Sequence, residues 1–285
     1  MNLPIEIHVW GGFGSQLNAL LLYWHLNEFY PQRSASLVFH SSGITRREPE
    51  ILNLMSSNDS YKFIDDFRNT HEMEVSRRSL RTKLLQRILE LLRLIIFSSG
   101  YTMFHIKPWT LQLRSSYSGV CFSEKLLKNL AQKIRSAPTI PMNCVNSAHY
   151  RAGDLVSKKQ ESLISPEIFF KQLLDVAQAS RNPQDFDLFT DSLGILTTDL
   201  QDFSHLFLPS AVFRLHSLDV SPTNLLINCL NSETFVGTSS KVSIWIALLR
   251  ASEGKPNTRL PKSLENNFMS MSPNSFWKYV DFYPN

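Results

Sequence analysis

The chain has 285 residues, 43% of them hydrophobic and 19% charged, which is apolar material for one large domain or two ordinary ones. Those proportions exclude whole-chain disorder, and three widely spaced cysteines (Cys121, Cys144, Cys229) exclude a disulfide-stapled scaffold and form no CxxC metal pair. A formal net charge of +4 is too small to imply nucleic acid, and no window offers the roughly 18 uncharged apolar residues of a membrane span.

The start, MNLPIEIHVW, has no basic leader followed by an apolar run, so no signal peptide is expected. With the unpaired cysteines, this gives an expectation of a cytoplasmic protein. Ile5, Ile7 and Val9 alternate with Glu6, His8 and Trp10, which predicts a strand. It runs into Gly11-Gly12-Phe13-Gly14, and a helix is expected from about Ser15, with Ser15 as its cap and Pro31 beyond its end. A second short strand is expected at Leu37-Val38-Phe39, so the chain opens as an α/β unit. Residues 77–97 carry a helical apolar stripe and six basic residues against one acid. One reading is a helix packed on the core with its arginines in water. The other is a helix lying on an anionic membrane face, which would place the protein at the inner membrane surface.

Residues 98–120 read as irregular, and 122–136 as a helix stopped by Pro138 and Pro141. The stretch Pro138 to Asn143 is the expected linker, dividing an N-terminal α/β domain (1–140) from a C-terminal one (144–260), with 261–285 as a tail that packs back on the body. The second half repeats strand, polar turn, helix. Strands are expected at Cys144 to Tyr150, Phe186 to Phe189, Val212 to Leu215 and Thr234 to Val236. Helices are expected at Pro166 to Ala179, capped by Ser165, at Pro222 to Leu230, capped by Ser221, and from about Lys241 to Arg250. That rhythm belongs to a parallel sheet.

Ligands of parallel sheets bind outside the C-terminal strand ends. Four polar turns fall at such ends: Gly11 to Gln16, His149 to Asp154, Thr190 to Ser192 and Gly237 to Ser240. In the first, Gly12 and Gly14 permit close backbone approach at a helix start, and Gln16 is a candidate to face a ligand; a tight structural turn is the plain alternative. In the second, Arg151 can grip phosphate oxygens with its planar fork, Asp154 can orient it or take a proton, and His149 can donate to a leaving or sugar oxygen. A strand-end salt bridge and a wall histidine are the alternatives there. Asp191 can bind ribose or cap a turn. Thr238, Ser239 and Ser240 offer a phosphate cradle or an ordinary N-cap cluster. No histidine or carboxylate set has metal spacing, so no metal or cofactor is implied.

Taken together, these turns resemble motifs of the alpha-1,2-fucosyltransferase group within the wider fucosyltransferase-like superfamily. Gly11-Gly12-Phe13-Gly14-Ser15-Gln16 is similar to that family's GGLGNQ, and His149-Tyr150-Arg151-Ala152-Gly153-Asp154 to its HxRRGD. Thr190-Asp191-Ser192 stands where the family has Ser-Asp-Asp, and Asn224 to Leu249 resembles the NSSFSWW block. The resemblance implies a GT-B fold, two facing Rossmann-like domains with a cleft between them. It also implies an inverting, metal-independent glycosyltransferase that moves fucose from GDP-fucose to a glycan acceptor. Arg151 would hold the donor diphosphate, Asp154 would support its loop, and Asp191 with Ser239 and Ser240 would lie near the nucleotide. Ser15, Ala152 and Ser192 depart from the family's residues. These departures keep open a non-catalytic nucleotide-sugar or glycan-binding protein.

Overall fold

The computed structural model describes residues 4–41, 46, 48–67, 102–107, 110–114, 120–138, 144–152, 164–217 and 221–285. The basic stretch 77–97 lies outside the described residues. The chain divides into two compact units, Met1–Phe122 and Ser123–Asn285.

The first unit begins with β1 (Ile5–Val9), α1 (Phe13–Phe29) and β2 (Ala35–His40). It continues with β3 (Tyr61–Ile64), β4 (Thr102–Lys107) and β5 (Thr110–Arg114). The strands lie in the order β3-β2-β1-β5-β4. β1 is parallel to β2 and β5, β3 is parallel to β2, and only β4 runs antiparallel. The alternation read in β1 is real: Ile5, Ile7 and Val9 are all buried, with Glu6 and His8 on the other face. α1 packs on β1 and β2 and is buried on all sides from Phe13 to Tyr23, so it shows no single apolar stripe. Its start differs from expectation. Gly12 is the N-cap residue, and the Ser15 amide donates to the Gly12 carbonyl at 2.9 Å, which puts Ser15 inside the first turn. The cause is Gly11, whose φ of +119° turns the chain sharply enough for the helix to begin at Phe13. The stretch 98–120, expected to be irregular, holds β4 and β5. β5 pairs with β1 and β4 pairs antiparallel with β5, so the order comes from docking a hairpin on a distant strand and not from local alternation.

The second unit opens with α2 (Glu124–Ser136), capped by Ser123 Oγ accepting from the Leu126 amide at 3.3 Å. This helix precedes the expected linker, yet it groups with the second unit. Then come β6 (Asn146–Tyr150), α3 (Pro166–Ala177), β7 (Asp185–Thr190), α4 (Leu193–Phe203) and β8 (Val212–Ser217). They are followed by α5 (Pro222–Asn231), β9 (Thr234–Gly237), α6 (Lys241–Ser252), β10 (Thr258–Pro261), α7 (Glu265–Met271) and β11 (Val280–Tyr283). Ser165 and Ser221 occupy the N-cap positions of α3 and α5 without a side-chain cap bond, and Pro at the first turn sets both starts. The six strands are all parallel, in the order β11-β10-β9-β6-β7-β8. Counted along this unit, that is the doubly wound Rossmann order, which reverses between β6 and β9. The segment 261–285, expected as a tail, supplies the edge strand β11.

The two faces of this sheet differ. One is apolar: Ala148, Tyr150, Phe186, Leu188 and Val236 form a core with Phe169, Phe170 and Leu173 of α3. The other carries Ser147, His149 and Asp187, all buried. Register places Ser147 opposite Asp187 and His149 opposite Phe189 and Gly237. α5 packs on β6 and α6 on β9. The protein is therefore built of two α/β units, each a largely or wholly parallel sheet flanked by helices. Among the described residues no helix is long and apolar enough to cross a membrane.

Candidate functional site

The reversal of strand order in the second sheet brings three of the predicted turns together. Thr238, just beyond β9, donates its hydroxyl to the His149 carbonyl at 3.0 Å and accepts the Arg151 amide at 2.9 Å. Its own amide donates to the same His149 carbonyl at 3.1 Å. Asp191, just beyond β7, accepts the Ala152 amide at 3.0 Å, and its other oxygen lies 3.8 Å from Arg151 Nε. The backbone on both sides of Arg151 is thus held by side chains from two neighbouring strand ends. The Arg151 side chain is 30% exposed. A cation fixed at its root and partly in water suits an anionic ligand.

The N-terminus of α6 lies beside this clamp. Ser240 Oγ caps it, accepting from the Val242 amide at 3.2 Å. Ser239 is more exposed and shares a hydrogen bond with Ser263 at 3.1 Å. Gly237 explains how the helix sits so close. A Cβ there would lie 2.6 Å from Ser243 Cβ and 2.9 Å from Leu260 Cδ2, so a side chain has no room. The Gly237 carbonyl accepts the Tyr283 hydroxyl at 2.7 Å, which ties β11 to the same strand end.

His149 lies beneath, 1% exposed, with Nδ1 2.9 Å from Ser243 Oγ. Its Nε2 is buried and has no hydrogen-bond partner among the described residues. Burial, helped by the Arg151 charge, lowers its pKa to about 3. Burial thus disfavours the charged ring, and a neutral imidazole can offer a hydrogen bond from whichever nitrogen carries its proton. Asp154 and Gly153 lie outside the described residues. Asp191, expected at the ribose or as a cap, is the carboxylate placed next to Arg151. Ser243 and Tyr283 were not legible as site residues, because their contacts span 94 and 46 positions of sequence.

Further along the polar face, Asp187 accepts from Arg214 Nε at 2.9 Å, Arg214 Nη2 at 2.7 Å and His216 Nε2 at 2.8 Å. Burial alone would raise its pKa, but these donors hold it down at about 2. The group fastens the edge strand β8 to β7.

The remaining predicted residues belong to the first unit. The Gly12 carbonyl accepts the amides of Ser15 and Gln16 at 2.9 and 3.2 Å, and Gly14 is buried in the first turn of α1. Gln16 does not present its amide to a ligand. Its Nε2 donates to the Glu48 carbonyl at 2.8 Å and its Oε1 accepts the Glu50 amide at 2.8 Å. It is a buried fastener for the 48–50 segment. Among the described residues no group of three or more His, Cys, Asp or Glu side chains is placed to hold a metal ion.

No protein-family model and no curated protein matches the sequence. Among solved structures, the chain is similar to a glycosyl transferase family 9 protein from Veillonella parvula DSM 2008, with TM-score 0.49 and 10% identity, covering 99% of this chain and 87% of that one. It is also similar to POFUT1 in complex with GDP, with TM-score 0.43 and 11% identity, covering 91% and 98%. A third is a putative UDP-N-acetylglucosamine 2-epimerase from Listeria monocytogenes, with TM-score 0.43 and 9% identity, covering 93% and 82%. The fold itself follows from the strand order and pairing of this chain.

Proposed function

We propose that the protein is a glycosyltransferase using a nucleotide-sugar donor and a carbohydrate acceptor, with fucose from GDP-fucose as the sugar. One observation supports this most: the backbone at Arg151 is fastened at the strand-order reversal of a Rossmann-ordered sheet, beside the N-terminus of α6, with the guanidinium 3.8 Å from Asp191. A fixed cation and a helix N-terminus together stabilise a diphosphate as its charge grows on departure. In this reading the second unit holds the donor through Arg151, Thr238, Ser239, Ser240 and Asp191, and the first holds the acceptor. Transfer is a single displacement with inversion. His149 lends a hydrogen bond from below, and Asp154 supports the Arg151 loop.

The first test is a panel of nucleotide sugars and nucleoside diphosphates, read by thermal shift and then by donor hydrolysis and transfer. A ligand at 100 times its Kd stabilises the fold by about 2.7 kcal/mol. GDP and GDP-fucose are expected to raise the melting temperature, and R151A is expected to lose both the shift and transfer while keeping its circular dichroism. Wild-type turnover by R151A overturns the assignment. Ala152 and Ser192, standing where the family has charged residues, favour one alternative, a nucleotide-sugar-binding protein without catalysis. Its signature is a GDP shift with neither hydrolysis nor transfer.

A further inference from the structure

Away from the Arg151 clamp, the second sheet continues outward through β9, β10 and β11. A short polar side chain stands at the same place beyond each of these strands. Ser239 is two residues past β9, Ser263 two past β10 and Asn285 two past β11. The three are joined in a row. Ser239 Oγ and Ser263 Oγ share a hydrogen bond at 3.1 Å, and the Ser263 amide donates to Asn285 Oδ1 at 3.1 Å. β10 and β11 end in step, with Pro261 paired to Tyr283. The Tyr283 hydroxyl reaches past β10 to the Gly237 carbonyl at 2.7 Å and fixes the row from beneath. Ser239 is half-buried, and Ser263 and Asn285 are exposed.

The chemistry of the row follows from its hydrogen bonds. Two hydroxyls that share one bond use one hydrogen and leave the other for an outside acceptor. Asn285, with its Oδ1 engaged by Ser263, keeps both Nδ2 hydrogens as donors. The row is neutral. Across Arg151 the opposite holds: the strand end of β7 carries the carboxylate of Asp191. In dinucleotide-binding sheets a carboxylate takes the ribose hydroxyls. A nucleotide sugar has a nucleoside at one end of its diphosphate and a neutral pyranose at the other. With the diphosphate on Arg151 and the start of α6, those two ends lie in opposite directions along the strand ends. The β7 side suits the ribose, and the neutral row suits a ring of hydroxyls. Neighbouring strands lie about 4.8 Å apart, so the ends of β9 and β10 are within one pyranose of the phosphates.

We propose that Ser263 and Asn285 bind the hydroxyls of the transferred sugar, with Ser239 joining them to the phosphate end of the site, and so act as specificity-determining residues. This rests on the glycosyltransferase reading. All three residues belong to the second unit, and the proposal asks nothing of the first. It gives a task in the site to 261–285, the stretch that reads in the sequence as a tail.

The test is isothermal titration of the full chain with GDP and with GDP-fucose, and its readout is the ratio of the two dissociation constants. GDP carries the nucleoside and phosphates without the sugar, so contacts to the pyranose alone move the ratio. S263A and N285A are each expected to weaken GDP-fucose by about 3–10-fold, with GDP within about twofold of wild type. S263F, which sets an aromatic ring in the row, is expected to weaken GDP-fucose more than either, again with GDP spared. Circular dichroism checks that each variant keeps its fold. Equal weakening of both ligands assigns the row to the nucleoside or the phosphates and overturns the proposal. An unchanged ratio in all three variants overturns it as well, and in both cases GDP binding by the wild-type chain leaves the glycosyltransferase reading intact. A wild-type chain that binds neither GDP nor GDP-fucose overturns both proposals together.

Discussion

β1 and β6 are the first strands of their sheets, and each carries a histidine as its fourth residue of five, His8 and His149. Both are buried and both are made reluctant to charge by that burial, with pKa values lowered to about 4 and about 3. Two residues later the likeness ends. Trp10 follows His8, and Arg151 follows His149. Around His8 the partners are the imidazole of His40 and the carboxylate of Glu6; around His149 the partner is a serine hydroxyl on a helix. The same strand-end position thus offers an aromatic ring in one unit and a cation in the other.

The sharpest way to break this comparison is to damage one sheet alone. Arg250, fully buried in α6, donates to the carbonyls of Cys229, Ser232, Glu233 and Pro256 and to Thr258 Oγ1. R250A leaves those acceptors without a donor and is expected to cost about 3 kcal/mol or more, read by urea denaturation. Loss of GDP binding should follow, while the imidazole NMR signals of His8 and His40 stay in place. Next, G237A forces a Cβ against Ser243 and Leu260. It is expected to destabilise by about 1–3 kcal/mol and to weaken GDP binding beyond what the melting temperature explains.

A pH series compares the two histidines directly. Each has a folded pKa below the unfolded value of 6.5. The unfolded chain therefore binds more protons as pH falls. The stability these rings contribute is complete above pH 6.5 and is lost progressively toward their folded values. Each contributes a slope of at most about 1.4 kcal/mol per pH unit. H149Q is expected to remove one such slope and H8Q the other; unchanged slopes in both variants would mean that the rings charge freely in the folded state. Smallest is Y283F, which removes the hydroxyl donated to the Gly237 carbonyl, at about 1 kcal/mol in a denaturation midpoint.

Much of the second unit could be read along the chain. Strand, polar turn and helix recur there with Pro at helix starts and apolar strand cores, so element positions and the turns at the strand ends followed from local pattern. The first unit was less legible. Tyr61–Ile64 is short and exposed, β5 gains its order by lying beside β1, and β4 pairs with β5. Side-chain roles were hardest. Gln16 has the chemistry of a ligand contact, but its partners are backbone groups 32 and 34 positions away. Asp191 shows no local sign that it will receive the Ala152 amide 39 positions earlier. Ser263 and Asn285, 22 apart, carry no motif at all.

The clamp around Arg151 has a kinetic consequence. Its hydrogen bonds join residues separated by 87 and 39 positions, and the floor at Gly237 is tied to Tyr283, 46 positions on. Loops of that size must close before any of these bonds forms, so the cradle belongs to the slow, high-contact-order part of folding. A refolding experiment should therefore recover helical signal well before it recovers the proposed binding of GDP, the clamp maturing last in a chain that already looks native by its backbone.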